Sequence, residues 1–447
     1  MLPPYRYHFR FPQFKILPLV LASLACASVQ AQSLVELHAA ARGYDAAYQS
    51  AKAQFDATLA KADQARAAIL PTAGLGVSAS RTSQEVLPGP ERYYNAQSAT
   101  LSASQPLYRP ANWAGYAQGM KQITLAQAQL HAADQDLIVR ISQAYFDVLA
   151  SQDSLEFVKS QKTAVSEQLA QAKRNFEVGT STITDSREAQ ARYDLVVAQE
   201  LAAENDLRVK SLALDLLVGQ TKVAPKPLKT PVDLSLVEPP DVEHWVALAR
   251  EKNPLVQQAD VALEVARLET RKANAAHLPT LDLTGSYSAV NNTGSSSSTL
   301  ADSRINVANI GLNLNVPLFA GYSIQNRVKE TLALEEKARA DLEAAQRGVV
   351  QGVRTAFLGV QSGLGQVKAL EAAAISSQSA LDANKLGYQV GVRINIDVLN
   401  AQSQVFDTKA KLSKARYDVL VGGLKLRQAS GTLNEEDLQT INRQLAP

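Results

Sequence analysis

The feature that most constrains the fold of this chain is an internal repeat, because short motifs recur in one order along it. The recurring pairs are Leu70-Pro71-Thr72 with Leu278-Pro279-Thr280, Gln105-Pro106-Leu107-Tyr108 with Val316-Pro317-Leu318-Phe319, Ala144-Tyr145 with Ala356-Phe357, Phe176-Glu177-Val178-Gly179 with Tyr388-Gln389-Val390-Gly391, and Ala189-Gln190 with Ala401-Gln402. From Ala144 onward the offset is constant at 212 residues. Such a repeat predicts that the two halves of the chain share one architecture.

Composition shifts and punctuating residues predict five segments. We expect a signal peptide at 1–31, a first structural repeat at 32–218, a Pro-rich linker in an equatorial region at 219–241, a second structural repeat at 242–431 and a C-terminal tail at 432–447. The start of the chain is basic, an apolar run at 16–27 follows, and Val29-Gln30-Ala31 fits a cleavage site. This order is typical of a secretory signal.

Each repeat predicts three helices, one of them very long. We expect helices at 33–69, 113–176 and 184–218 in the first repeat, and at 241–276, 325–388 and 397–430 in the second. Within the first long helix, Leu130, Leu137 and Ile141 lie on the expected apolar stripe. About 65 residues at 1.5 Å per residue give a length of about 100 Å. We therefore predict that two shorter helices stack end to end beside each long one, with lateral packing as in coiled coils.

Between the first and second helix of each repeat lie two segments with alternating apolar residues. Leu75 and Val77 alternate with small or polar residues, and so do Ile310, Leu312 and Leu314. This pattern fits transmembrane barrel strands, and also a half-buried sheet in a soluble protein. About four strands per chain cannot close a barrel alone, so a barrel would have to be shared between chains. Two chains would give eight strands and three would give twelve. If the barrel is a conduit, three chains are favoured.

Charge and chemical motifs exclude several classes of function. Lys plus Arg is 45 and Asp plus Glu is 43, and removing residues 1–31 with their three basic residues leaves a net charge of −1. This argues against a nucleic-acid partner. Cys26, in the expected signal peptide, is the one cysteine. The five histidines are scattered, and neither a phosphate loop nor a Gly-x-Ser-x-Gly motif occurs. We expect no enzyme activity, cofactor or metal site; an exported enzyme would need a catalytic constellation that the sequence lacks.

The most specific signal is the turn that follows each long helix, at 176–185 and 388–397. We predict that Gly179 and Gly391 adopt the left-handed conformation that ends a helix. Asp185 and Asp397 are predicted N-caps of the next helices, with Glu188 completing a capping box for Asp185. These structural roles do not explain why the Val-Gly neighbours also recur.

The repeat and its motifs resemble the TolC-like outer membrane factor family, which serves multidrug efflux and type I secretion. The resemblance rests on Leu-Pro-Thr at Leu70 and Leu278, on Gln-Pro-Leu-Tyr and Val-Pro-Leu-Phe after the strands, and on the Val-Gly turns before Asp185 and Asp397. It implies a mainly α chain with a small β part. Three such chains would form a shared trimeric transmembrane β-barrel of about four strands per chain, continued by a long α-helical coiled-coil tunnel.

The resemblance also implies functional residues at the tip of the tunnel. The turns that would dock a periplasmic membrane fusion (adaptor) protein contain Val178, Gly179, Thr180, Val390, Gly391 and Val392. The latch that holds the aperture shut would be Thr184, Asp185, Tyr388 and Arg393, and Asp397 would form a first acidic ring. The second ring falls at Asn400, where the family pattern has Asp, so one acidic ring expected of a cation-selective aperture is missing.

The resulting prediction is a passive outer membrane exit duct of a tripartite efflux pump or type I secretion system. Its partners would be two further copies of the chain, an adaptor, an inner-membrane RND or ABC transporter and outer membrane lipid. It would extend from the outer membrane into the periplasm. The alternative is a soluble periplasmic coiled-coil scaffold or adaptor without channel activity, which needs the helices but not the alternating apolar strands.

Overall fold

The computed structural model describes residues 32–85, 87–89, 91–229, 232, 234, 238–294 and 302–446. The expected signal peptide at 1–31 lies outside the described residues. The first half contains α1 (Leu34–Tyr44), α2 (Ala46–Ala67), β1 (Thr72–Gln84), β2 (Arg92–Tyr108), α3 (Pro110–Glu177) and α4 (Ile183–Val218). The second half contains α5 (Val242–Lys252), α6 (Pro254–Ala275), β3 (Thr280–Gly294), β4 (Ser303–Asn315), α7 (Ser323–Gln389) and α8 (Asn395–Ser430), followed by α9 (Glu435–Asn442).

The helices form one layer in which the long helices α3 and α7 run its full length. Near the sheet the helices lie side by side in the order α2, α3, α6, α7, and towards the other end in the order α4, α3, α8, α7. α3 has 68 residues and α7 has 67, so each is about 100 Å long. The end of α4 meets α1, and the end of α8 meets α5. The predicted stacking of shorter helices beside each long one is confirmed.

The helix that precedes the strands is broken in each repeat, and the predicted continuous helices at 33–69 and 241–276 are wrong. Asp45 ends α1 and caps α2, accepting a hydrogen bond from the backbone N–H of Tyr48 at 2.8 Å. Asn253 ends α5 and caps α6 by accepting from the N–H of Leu255 at 2.8 Å. Short Asp and Asn side chains compete with the helix for backbone N–H groups, and Pro254 lacks the N–H that would continue α5.

The expected C-terminal tail contains a helix that joins the main core. Asn434 caps α9 with its side-chain oxygen. Leu438, Ile441 and Leu445 are buried against residues of α1, α3, α4 and α8. The apolar residues at three- and four-residue spacing therefore attach the end of the described chain to the middle of the helical layer.

The strands form one antiparallel sheet in the order β1-β2-β3-β4, so β2 and β3 join the two halves. Leu75 lies opposite Leu101, Leu101 opposite Tyr287, and Tyr287 opposite Ala308. Since residues directly opposite one another share a face, one side of the sheet is apolar. Its members include Leu75, Val77, Leu101, Leu283, Tyr287, Ile310, Leu312 and Leu314, and Ile310 is 84% exposed.

The other face of the sheet carries hydroxyl groups. Ser78 lies opposite Ser98, and Thr100 lies opposite Ser288 with 3.0 Å between their hydroxyl oxygens. The apolar rows run from Leu314 to Asn306 on β4. They therefore cover about 27 Å along the strands. Among the described residues, no helix has the length and hydrophobicity needed to cross a membrane.

Candidate functional site

The end of the helical layer opposite the sheet is formed by two helix–helix turns. We name residues 178–182, between α3 and α4, the first turn, and residues 390–394, between α7 and α8, the second turn. Gly179 has φ +77° and Gly391 has φ +79°. A Cβ on either glycine would meet no atom within 4 Å. The backbone conformation alone therefore requires glycine there, and the predicted left-handed helix ends are confirmed.

Both turns close with the same hydrogen-bond pattern. In the first, the N–H of Thr180 donates to the carbonyl of Asn175 at 2.8 Å and the N–H of Gly179 donates to that of Phe176 at 3.0 Å. In the second, the N–H of Val392 donates to the carbonyl of Gly387 at 2.8 Å. These six-residue closures are Schellman motifs, which satisfy the last carbonyls of each long helix.

The two turns present apolar side chains to solvent. Val178 is 73% exposed, Val390 66% and Val392 79%. Thr180, beside Val178, is also exposed. These exposed branched residues make the two turns candidates for a surface that binds another protein.

The first turn is held by side-chain caps, in an arrangement that differs from the prediction. Thr182, not Asp185, is the N-cap of α4, and its hydroxyl accepts from the N–H of Asp185 at 3.3 Å. The Asp185 carboxylate accepts in return from the N–H of Thr182 at 3.2 Å and from the hydroxyl of Ser181 at 2.5 Å. The predicted capping box with Glu188 is therefore wrong. The hydroxyl of Ser181, together with the bonds from Thr182, lowers the pKa of Asp185 below its ordinary value.

The second turn has no such cap. Ile394 is the N-cap of α8 and offers no side-chain acceptor, so the prediction that Asp397 caps the helix is also wrong. Asp397 lies one position after Ile396, near the start of α8, and its carboxylate is 3.7 Å from Nη1 of Arg393. Within the described chain Arg393 thus pairs with Asp397, and not with Thr184 or Asp185. Thr184 is exposed.

A buried asparagine that the sequence argument missed joins the two turns. Asn395, the first residue of α8, is 0% exposed. Its side-chain oxygen accepts from Nε2 of Gln168 on α3 at 2.5 Å, and its Nδ2 donates to the carbonyl of Asp185 on α4 at 3.2 Å. The repeat offset places Ile183 at the equivalent position of the first half. A polar residue in place of an apolar one within the repeat was the signal that could have revealed it.

Two further contacts connect the second hairpin to the first. The hydroxyl of Tyr388 accepts from Nδ2 of Asn175 at 3.4 Å. The side-chain oxygen of Asn400 accepts from Nη2 of Arg192 at 3.0 Å. The structure therefore brings Tyr388, Asp185 and Asn400 into contacts between the hairpins, while Arg393 and Asp397 remain together on the second hairpin.

Long paired helices that end in two exposed turns, below an antiparallel sheet with one apolar face, define the class of outer membrane channel proteins. Comparison with known proteins agrees. The family described as outer membrane efflux protein matches residues 37–220 and 245–432. The outer membrane protein TolC of Vibrio cholerae is 37% identical over 96% of this chain and 98% of its own. The alkaline protease secretion protein AprF of Pseudomonas aeruginosa is 31% identical over 78% of this chain and 73% of its own.

A solved structure shows the same fold. The open state of the Neisseria gonorrhoeae MtrE outer membrane channel has a TM-score of 0.73, with 18% identity, and the match covers 96% of this chain and 98% of that one. The chain belongs to the outer membrane efflux protein family. It is a protein of the outer membrane, and its relatives include channels of the efflux and secretion type.

Proposed function

We propose that three copies of this chain form a passive exit duct, with a twelve-stranded barrel in the outer membrane and an α-helical tunnel in the periplasm. The observation that carries the proposal is the sheet. Within the described residues, β1 and β4 each pair on one side, which leaves two open edges. Open edges are not tolerated in the hydrocarbon of a membrane, so β1 of one copy must pair with β4 of the next.

The apolar face of the sheet favours this duct over a soluble periplasmic scaffold. A scaffold in water would expose Leu75, Val77, Ile310, Leu312 and Leu314 without benefit. In a barrel the same residues face lipid, and the hydroxyl-bearing face lines the lumen.

The outer helices of the layer offer surfaces along which copies can meet. α4 exposes Leu195, Val209, Leu212 and Leu216 on one heptad stripe. α7 exposes a stripe of mostly small residues at the level of Leu195 to Val209, including Ser362, Gly365, Ala369, Ala372 and Ser376. Large residues on one edge can pack into small ones on the other, as in an antiparallel coiled coil. This seam would close the tunnel laterally.

The tip completes the proposal. Val178, Val390 and Val392, at the first and second turns, would dock a periplasmic adaptor protein. An inner-membrane RND or ABC transporter would supply the energy. The contacts that Asp185, Tyr388 and Asn395 make between the hairpins would hold the tip closed until the adaptor biases it open. Arg393 would add a contact to Thr184 or Asp185 of a neighbouring copy.

The duct is tested by mass, by cross-linking and by fractionation. In mild detergent the native mass should be three times that of the protomer. Leu75→Cys on β1, combined in turn with single cysteines along β4, should give disulfide-linked species larger than one chain; Leu75→Cys alone is the control. A stable folded monomer released by osmotic shock would instead establish the scaffold.

A further inference from the structure

An apolar groove lies directly below the sheet, between the beginning of α3 and the end of α6. Its volume is 680 Å³, and its walls include Tyr108, Trp113, Leu268, Arg271 and Leu278. Trp113 is 59% exposed. The groove is therefore open to its surroundings and not part of the core of the helical layer.

The groove opens on the same side as the apolar face of the sheet. Tyr108 lies opposite Leu281, and Leu281 lies opposite Leu314, a member of that face. α3 and α6 are the two inner helices at this level, with α2 and α7 at the edges. A neighbouring copy that packs against the edge helices would leave the groove uncovered.

The groove combines aromatic, apolar and basic side chains. Tyr108 ends β2, and Trp113 lies one turn into α3. Arg271 lies about one turn before the end of α6, about 6 Å further from the sheet than Ala275. The aromatic rings and the guanidinium therefore line the groove at a similar level, with Leu268 further from the sheet.

Arg271 has no ion-pair partner among the described residues, unlike the cations around it. Lys272 and Arg327 pair with Glu269, at 3.5 Å and 2.7 Å, and Arg267 pairs with Glu335 at 3.7 Å. An arginine fork without a carboxylate matches phosphate oxygens, and aromatic side chains are favoured at the level of lipid headgroups.

We propose that this groove binds one anionic glycerophospholipid of the inner leaflet of the outer membrane. An acyl chain would lie against Tyr108, Trp113 and Leu278, with the phosphate at Arg271. The inference rests on the proposed function in that it requires the sheet to be inserted in the membrane. The offset that relates Leu70 to Leu278 places Asp63 at the position equivalent to Arg271. We therefore expect one such site per chain, with no counterpart in the first repeat.

Native mass spectrometry of the delipidated full-length protein, titrated with dioleoyl-phosphatidylglycerol or dioleoyl-phosphatidylcholine, tests the proposal. We expect one tightly bound phosphatidylglycerol per protomer and weaker binding of phosphatidylcholine. Arg271→Gln should weaken phosphatidylglycerol binding about fivefold, as expected for one basic residue near a headgroup. Trp113→Ala should weaken both lipids. Arg66→Gln is the matched control, because Arg66 is exposed in the last turn of α2, also next to the sheet.

Three results would overturn the site: equal binding of the two lipids by the unaltered protein, unchanged lipid preference in Arg271→Gln, or displacement of phosphatidylglycerol by inorganic phosphate alone. Native mass and membrane fractionation of the same samples separate the two proposals. A trimer in the outer membrane without the bound lipid refutes this inference only, whereas a soluble monomer refutes the proposed duct.

Discussion

The first and second turns at the tip share one backbone but differ in what holds them. Both have a left-handed glycine and a Schellman closure. The first is reinforced by the reciprocal bonds of Thr182 and Asp185, whereas the second begins α8 at Ile394 without a side-chain cap. The second turn instead depends on Asn395, which attaches it to the first hairpin. The comparison indicates that the α7–α8 hairpin has fewer stabilising contacts of its own than the α3–α4 hairpin. We therefore expect the α7–α8 hairpin to be the one that moves if the tip opens.

The largest effect is expected from Asn395→Ala, which removes the buried link between the two hairpins. The substitution leaves the amide of Gln168 and the carbonyl of Asp185 without their partner, at a cost of about 1–3 kcal/mol per chain. We expect higher single-channel conductance in planar bilayers. Asn384→Ala is the control, because within the described chain the Asn384 side chain donates only to the carbonyl of Ala380 of its own helix. Equal conductance of the two variants would show that Asn395 does not restrain the second hairpin.

Replacement of the turn glycines tests what the two turns have in common. The Cβ of a valine at Gly179 or Gly391 meets no atom within 4 Å. The main cost is therefore backbone strain of about 1–2 kcal/mol in either turn. Export should fall while membrane insertion persists. Gly359→Ala, in the open interior of α7, should leave export unchanged and add slightly to helix stability. If both turn variants exported normally, the turns would have no part in docking.

Exchanging the caps tests the difference directly. Thr182→Ala should destabilise the start of α4 by about 1 kcal/mol, and Ile394→Thr should stabilise the start of α8 by a similar amount. Ile394 has ψ 162° and Thr182 has ψ 157°, so a threonine at 394 can adopt the capping geometry. Amide hydrogen exchange at the start of α4 should become faster in Thr182→Ala, and exchange at the start of α8 should become slower in Ile394→Thr. Thr163→Ala, at an exposed position inside α3, should change neither. A faster-exchanging α8 in Ile394→Thr would contradict the comparison.

The smallest change per chain is expected from the exposed polar groups of the second turn. Arg393→Ser combined with Tyr388→Phe removes the charge proposed to contact the neighbouring copy and the hydroxyl that contacts Asn175, and an exposed pair contributes only about 0.2–1 kcal/mol. Over three copies this reaches roughly 1–3 kcal/mol, or a five- to 150-fold shift in the open population. Single-channel conductance should rise. Arg347→Ser removes an exposed pair with Glu343 far from the tip and should not raise it.

The fold was largely predictable because its main signals are local and repeated. The uninterrupted periodicity of α3 and α7, the alternation in β1 and β4, and the glycines of the two turns each report a backbone preference that tertiary packing does not override. The end-to-end stacking followed from helix lengths alone. Family membership followed from motif order.

Several details that the sequence did not predict depend on contacts that exist only in the folded chain. Asp45 resembles an ordinary polar position of a helix, whereas Asn253-Pro254 is a local signal of a helix break that the sequence argument missed. The N-cap of α4 was assigned three residues too late because Thr182 and Asp185 both suit a helix start. Asn395 gains its role from Gln168, which is 227 residues away in the sequence.

The pairing of β2 with β3 has a consequence for how the protein matures. Tyr94 pairs with Gly294, 200 residues further along the chain. The first hairpin can therefore form early, but it has no neighbour until the chain has been exported through β3, well into the second half. Contacts between such distant segments form slowly, and unpaired apolar strands invite aggregation in the meantime. We expect the newly exported chain to depend on periplasmic chaperones until β3 arrives, and on the supply of further copies after that.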